Sequence, residues 1–214
     1  MAEKHNQFDM AVKIILLGEV GTGKTSLINV YMKEKFNQDI DTTISPSFFS
    51  RLLNLDEKNV LVKMWDTAGQ ERFRSMNKIF IKESNVIIFV YDITRKKTLK
   101  ELSFWTQYVE SCLDKDNVVY GIVGNKIDLF DKEEELKSEN IEYEFVNSEE
   151  GKEFSDKVGA EFLETSAREK APGFAKYIDK LVGEYIKIYN KKDKQNNDSF
   201  ILDGNQSSSK VKCC

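Results

Sequence analysis

The stretch that decides the fold lies near the start of the chain, where residues 12–25 are VKIILLGEVGTGKT. The apolar run VKIILL, with its β-branched residues, predicts a buried strand. The next eight residues, GEVGTGKT, have the glycine and lysine spacing of a phosphate-binding loop that leads from a strand into a helix. This stretch therefore predicts an α/β fold with a nucleoside triphosphate site beyond the end of its first strand.

The polar groups of this loop have defined roles in the predicted phosphate site. Gly21 and Gly23 let the backbone approach phosphate oxygens, so that N–H groups of the loop and of the following helix surround the anion. Lys24 is expected to reach the β and γ phosphates, and the Thr25 hydroxyl to ligate Mg²⁺. The predicted nucleotide-binding segment also contains Val20, Thr22 and Ser26. A glycine-rich turn without a ligand is the alternative, and this loop does not distinguish GTP from ATP.

Five further runs predict strands, at 48–55, 60–65, 86–91, 118–123 and 161–163. Apolar residues recur at helical spacing between the fourth and fifth strands of the chain, and again at 174–188. Such alternation is typical of an α/β sheet with helices on both faces. Only residues 56–59 join the second and third strands, which is too short for a crossover helix, so a mixed sheet with one antiparallel edge strand is expected.

A second motif, Asn125-Lys126-Ile127-Asp128, follows the fifth predicted strand. The Asp128 carboxylate is able to accept two hydrogen bonds from the ring N–H and the exocyclic amine of guanine, a pair that adenine does not offer. Lys126 is expected to lay its aliphatic stem along the base, and Asn125 to brace the neighbouring loops. By itself this tetrapeptide is also typical of a solvated turn, but its position after a buried strand and downstream of the phosphate loop favours guanine recognition.

A third motif, WDTAGQERF at 65–73, begins at the end of the third predicted strand. Asp66 is placed to hold Mg²⁺ through water, and the Gly69 N–H to bond a γ-phosphate oxygen. Gln70 is expected to orient the attacking water, because its amide both donates and accepts hydrogen bonds.

With these motifs the chain resembles the Rab family of the Ras superfamily over about residues 12–190. The resemblance implies a P-loop GTPase domain, or G domain, with a six-stranded sheet and five helices, which binds and hydrolyses GTP with Mg²⁺. Thr43 corresponds to a switch threonine that ligates Mg²⁺, so Gln70, Lys24 and Thr43 form the implied catalytic set. The implied base contacts beyond the second motif are Phe36, Ser166 and Ala167.

The resemblance also implies a surface for effector proteins. Phe48, Trp65 and Phe80 stand where Rab proteins carry an aromatic triad that meets effectors. Packing in the protein core is the alternative role for these large aromatic side chains.

Three departures from the Rab pattern bear on catalysis and partner choice. Val20 replaces a glycine or serine of the phosphate loop, which predicts slow hydrolysis, and Ser45-Pro46 replaces the glycine of the first switch. The charged segment 130–144 lengthens a connection and is expected to be a solvated insertion rather than a binding element.

Composition and charge limit the other functions. The chain has 214 residues, with 32 basic and 36 acidic side chains and a formal charge of -4, so nucleic acid is not an expected partner. We expect a polar leader at 1–10, the GTPase domain at 11–190 and a flexible tail at 191–214. By the resemblance, Cys213 and Cys214 at the end of the tail carry two geranylgeranyl groups.

The resulting hypothesis is a membrane-anchored molecular switch of vesicular trafficking on the cytoplasmic face of an intracellular membrane. Its expected partners are effectors, an exchange factor, a GTPase-activating protein, and prenylation and membrane-extraction machinery; the protein itself is expected to be monomeric. A hydrolysis-impaired scaffold that stays bound to GTP is one alternative. A P-loop kinase or ATPase is another, although the second motif argues against it.

Overall fold

The computed structural model describes residues 8–33, 47–55, 57–66, 81–139 and 143–204. Several predicted site residues lie outside these ranges: Phe36, Thr43, Ser45, Pro46, Gly69, Gln70, Phe80, Cys213 and Cys214.

Six strands and five α-helices make up the described structure. The strands are β1 (Met10–Leu17), β2 (Ser47–Leu55), β3 (Lys58–Asp66), β4 (Val86–Asp92), β5 (Val119–Asn125) and β6 (Glu161–Thr165). The α-helices are α1 (Lys24–Lys33), α2 (Lys96–Glu110), α3 (Glu133–Glu139), α4 (Ser148–Val158) and α5 (Phe174–Gly204). Short 3₁₀ turns lie at Lys115–Asn117 and Ile127–Lys132.

The strands form one mixed sheet in the order β2-β3-β1-β4-β5-β6. Only β2 and β3 pair antiparallel, as a hairpin at the edge of the sheet, and the other four pairings are parallel. This arrangement confirms the predicted fold class. Because β1, β3, β4, β5 and β6 run in the same direction, the residues that follow them meet at one edge of the sheet.

Helices cover both faces of the sheet, so residues of β1 enter two separate cores. Val12, Ile14 and Leu16 pack in the core beneath α1 and α5. Ile15 and Leu17, which point to the opposite face, pack in the core beneath α2 and α4. This alternation follows from the two-residue period of a strand.

Helix α5 continues beyond the domain boundary predicted at residue 190. The structure has helix through Gly204, where the loss of apolar periodicity had predicted a coil from Lys191 onward. Residues 191–203 contain neither proline nor glycine, and an established helix gains a hydrogen bond with each residue added, which favours the continuation of α5.

The charged insertion also has regular structure. Helix α3 forms within it, with Glu133, Glu134 and Glu135 in its first turn, where acidic side chains interact favourably with the helix dipole. Phe130 just before this helix is 49% exposed. No helix in the described part of the chain has the length and apolarity needed to cross a bilayer.

Candidate nucleotide-binding site

The sequence motifs meet at the edge formed by the carboxyl ends of the parallel strands. The register pairs Leu16 of β1 with Asp66 of β3. Toward the β6 end of the strand order, Asn125 of β5 pairs with Thr165 of β6, directly before Ser166. Motifs separated by up to about two thirds of the chain therefore surround one region beyond the sheet.

Lys24 is the buried cation of the phosphate loop. Lys24 is the first residue of α1 and is only 5% exposed. Its ammonium donates to the carbonyl oxygens of Gly18 at 2.9 Å and Glu19 at 2.8 Å. Burial lowers the pKa of Lys24 to about 8, against the opposing charges of Asp66 and Glu19. An anion beside this ammonium would compensate the cost of burying it, as a phosphate does.

Gly23 has no room for a side chain. Its φ of +91° is unfavourable for other residues, and a Cβ atom there would lie 2.2 Å from the Asn125 Nδ2 atom. The glycine of the phosphate loop thus permits the close approach of the second motif.

Asn125 joins three loops. Its side-chain amide donates to the Thr22 carbonyl oxygen at 2.8 Å, and its Oδ1 accepts from the Ala167 N–H at 3.0 Å. Asn125 is 1% exposed, so its amide has little access to water, and these two hydrogen bonds satisfy both of its polar ends within the protein. These bonds confirm the prediction that Asn125 braces the neighbouring loops.

Asp128 and Ser166 lie side by side in the predicted base site. The Ser166 hydroxyl donates to the Asp128 carboxylate at 2.5 Å, and the same oxygen of Ser166 accepts from the Glu169 N–H at 3.2 Å. Arg168 lies 4.0 Å from the second carboxylate oxygen. The Asp128 side chain is 11% exposed, and its carboxylate oxygens offer further lone pairs to a ligand.

Sequence reasoning missed the buried carboxylate of Asp92 at the end of β4. Asp92 Oδ2 accepts from the Lys126 ammonium at 2.7 Å and from Arg95 Nε at 3.0 Å, and Oδ1 accepts from Thr94. Burial opposes its ionisation, but the Lys126 charge and the hydrogen bonds outweigh burial, so the pKa of Asp92 is lowered. The available signal was a carboxylate at the carboxyl end of an otherwise apolar strand.

Two of the three predicted magnesium ligands are described. Thr25 lies in the first turn of α1 and Asp66 ends β3, where it is 1% exposed and its charge acts on Lys24. A hydroxyl and a carboxylate are hard oxygen donors of the kind that Mg²⁺ prefers, so these residues fit the ion.

Two aromatic residues of the hairpin, Phe48 and Trp65, do not belong to either of the two described cores. Phe48 and Trp65 are opposite each other in the β2–β3 pairing, with ring centroids 5.1 Å apart, and Phe48 is 49% exposed. Lys13 lies over the Trp65 ring at 5.9 Å. Val60, Val62 and Met64 enter the core on the other face of β3, so Phe48 and Trp65 lie on the face of the hairpin opposite that core.

A mixed sheet whose first parallel strand leads through a glycine-rich loop into a helix with a buried lysine defines a P-loop α/β protein. Comparison with known proteins refines this class. The sequence profile of the Ras family matches residues 13–187. Ras-related protein RABA4a of Arabidopsis thaliana is 33% identical over 186 residues, which cover 87% of this chain and 76% of the relative.

Two other relatives are similar to the same extent. Ras-related protein Rab11A of Lotus japonicus is 33% identical over 87% of this chain and 76% of its own length. Ras-related protein RABA4b of Arabidopsis thaliana is 31% identical over 86% of this chain and 77% of its own length. The chain therefore belongs to the Ras family of small GTPases, within its Rab branch. Members of this family are GTPases that use GTP and GDP with Mg²⁺.

Proposed function

We propose that this chain binds GTP and GDP with Mg²⁺, hydrolyses GTP slowly, and acts as a membrane-anchored switch in vesicular trafficking. The observation that carries the proposal is the pair of hydrogen bonds by which Asn125 joins Thr22 and Ala167. These bonds connect the phosphate loop to both loops of the base site, so phosphate and guanine recognition depend on one buried side chain.

Guanine specificity in this proposal rests on Asp128. Its carboxylate would accept hydrogen bonds from the ring N–H and the exocyclic amine of guanine. The hydrogen bond from the Ala167 N–H to Asn125 holds the two base loops together. A site built on such hydrogen bonds typically rejects the analogue that lacks them by about 10⁴- to 10⁵-fold. GTP is therefore expected to displace bound GDP, and ATP is not.

Thr25 and Asp66, together with Thr43, are the residues that would hold Mg²⁺. When bound there, the ion would supply positive charge that compensates the charge of the phosphates. Gln70 would orient the attacking water, and Lys24 would place its ammonium against the phosphate oxygens. Proteins of this class hydrolyse GTP at around 10⁻⁴ s⁻¹ until an arginine supplied by another protein accelerates them.

A second candidate function is a scaffold that holds GTP almost permanently. Val20 favours this candidate because it places a branched, half-buried side chain in the phosphate loop. There it would obstruct Gln70 and an arginine supplied by an activating protein, and so slow hydrolysis. The two candidates differ only in the rate of hydrolysis, so kinetics separates them.

The membrane and partner assignments follow from the Rab branch. Rab proteins in general work with effectors, exchange factors and activating proteins. The exposed Phe48 and the neighbouring Trp65 offer such effectors an aromatic surface, to which Phe80 would contribute. Lipid groups on Cys213 and Cys214 would anchor the chain to the cytoplasmic face of a vesicular membrane.

The decisive experiment measures nucleotide competition and then single-turnover GTP hydrolysis with Mg²⁺. Displacement of labelled GDP by GTP but not by ATP supports the guanine site, and equal displacement by ATP would contradict it. Hydrolysis that is slow in the wild type and lost in Gln70→Leu supports the timed switch. Equal rates in these two proteins, with a faster Val20→Gly variant, support the scaffold.

A further inference from the structure

Arg95 connects the end of β4 to the phosphate loop. Its guanidinium donates through Nε to Asp92 Oδ2 at 3.0 Å and through Nη2 to the Val20 carbonyl oxygen at 3.1 Å. Val20 lies 75 positions earlier in the chain. Two different nitrogens of one rigid planar group thus bind a buried carboxylate and the backbone of the loop.

The Asp92 end of this connection is firmly held. Asp92 is 1% exposed, and it also binds the ammonium of Lys126 and the backbone N–H and hydroxyl of Thr94. The Arg95 backbone is fixed as well, because its N–H donates to the Asp92 carbonyl oxygen and its own carbonyl oxygen accepts from the Thr98 N–H. The guanidinium therefore extends toward the phosphate loop from a rigid base.

The Val20 carbonyl and the Gly21 N–H belong to the same peptide group. The described peptide bonds contain no cis isomer, and in a trans peptide the C=O and N–H bonds point in opposite directions. Holding the Val20 oxygen toward Arg95 turns the Gly21 N–H to the opposite side. A cation on the carbonyl also polarises the peptide and makes its N–H a stronger donor.

The Arg95 guanidinium also lies close to the backbone of Gly21. Gly21 has a φ of +78°, and a Cβ atom built there would lie 3.2 Å from the Arg95 Nη2 atom. Burial is the main cause of the lowered pKa of Lys24, and the nearby charge of Arg95 lowers this pKa further. The phosphate loop thus has a second cation beside its lysine.

We propose that Arg95 is a positioning residue of the phosphate site, which holds the Val20–Gly21 peptide so that the Gly21 N–H donates to a phosphate of the bound nucleotide and slows nucleotide release. This inference rests on the proposed guanine nucleotide binding. The Arg95 side chain is 35% exposed, so solvent screens its charge and directional hydrogen bonding carries most of the effect.

The test uses the full chain loaded with fluorescent GDP and Mg²⁺, and follows release into excess unlabelled GDP. Arg95→Ala is expected to release GDP about tenfold faster, the size of one charge-assisted hydrogen bond. Lys97→Ala is the matched control, because Lys97 lies two positions further on, is exposed, and carries the same charge. Arg95→Lys is expected to release at an intermediate rate, because one ammonium is a poor substitute for two fixed donors.

Phosphorus NMR of bound GDP distinguishes a local role from general loosening. Arg95→Ala is expected to shift a phosphate resonance, whereas Lys97→Ala leaves the spectrum unchanged. Release from Arg95→Ala and Arg95→Lys within twofold of the wild type would overturn the inference, and so would equal acceleration by Lys97→Ala. A wild-type chain that binds no guanine nucleotide would instead overturn the proposed function, so the two failures are distinguishable.

Discussion

Asn125 and Thr22 lie 103 positions apart in the chain, and the Asn125 amide donates to the Thr22 carbonyl oxygen at 2.8 Å. The other end of the same amide accepts from the Ala167 N–H. Because all three residues are buried, this one side chain determines how the phosphate loop sits against the base loops.

Replacing Asn125 tests this connection directly. Asn125→Ala leaves the Thr22 carbonyl and the Ala167 N–H without this partner, so the free energy of unfolding is expected to fall by about 2–3 kcal/mol. GDP release should accelerate as well, because the loops lose their common brace. Urea denaturation and release kinetics measure the two effects.

Asn54→Ala is the control for that variant. Asn54 bonds Asn59 at 3.2 Å on the exposed hairpin, so the same chemical change there is expected to alter stability by less than about 0.5 kcal/mol. Equal losses from both variants would show that the Asn125 bonds have no special weight.

Two glycine substitutions are expected to have opposite effects. Gly23→Ala places a methyl group 2.2 Å from Asn125 Nδ2 at a φ of +91°, so we expect it to abolish nucleotide retention and to lower stability. Gly183 lies within α5, and outside its own stretch of helix no atom comes within 4 Å of an added Cβ, so Gly183→Ala should raise stability by roughly 0.5–1 kcal/mol. Thermal unfolding and chromatography of the released nucleotide provide the measurements. A Gly23→Ala protein that keeps its nucleotide would contradict the importance of the close approach between Gly23 and Asn125.

Nucleotide affinity should depend on the protonation of Lys24. Burial lowers the pKa of this ammonium to about 8 in the free protein, whereas a bound phosphate favours the charged form. Above about pH 8, binding must therefore take up a proton, and affinity for GDP is expected to fall as the pH rises further. The unfolded chain keeps the ordinary value of 10.5, so between these pH values the free protein gains stability as the pH rises.

Calorimetry in two buffers of different ionisation enthalpy measures the proton uptake. The apparent binding enthalpy should differ between the buffers at about pH 9, and agree between them at about pH 7. Buffer-independent enthalpies at the higher pH would contradict a lowered Lys24 pKa.

Membrane attachment is expected to require both terminal cysteines. In cells with prenylation enzymes, the wild type should sediment with membranes, and Cys213→Ser/Cys214→Ser should stay in the supernatant. Each single variant should attach only weakly, because one lipid chain gives marginal binding. Cys112→Ser is the matched control, since Cys112 is a partly buried thiol of the folded domain. Unchanged sedimentation of the double variant would refute the lipid anchor.

The phosphate loop, the antiparallel hairpin and the six strands were predictable from the sequence. Their signals are local, because a glycine spacing, a short connection or an apolar run acts within a few residues. The end of α5 was not predictable in this way. Apolar periodicity reports which face of a helix packs, but a helix also continues through residues that lack this periodicity, as α5 does as far as Gly204.

The positions of Phe48 and Trp65 in the hairpin were only partly predictable from the sequence. The alternation of buried Val60, Val62 and Met64 with half-buried Leu61, Lys63 and Trp65 follows the strand period, so the sequence contained the pattern that places Trp65 opposite the core. Its partner was not specified by the sequence, because the contact with Phe48 depends on the register of the hairpin.

By itself, the sequence predicted which backbone segments form the proposed phosphate and base sites, because those segments carry their chemistry in neighbouring residues. Only the tertiary structure decided that Asn125 braces Thr22 and that Asp92 and Arg95 connect β4 to the phosphate loop. Such contacts form between side chains far apart in the chain. They exist only after the parallel strands have paired in register and brought their carboxyl ends to one edge of the sheet.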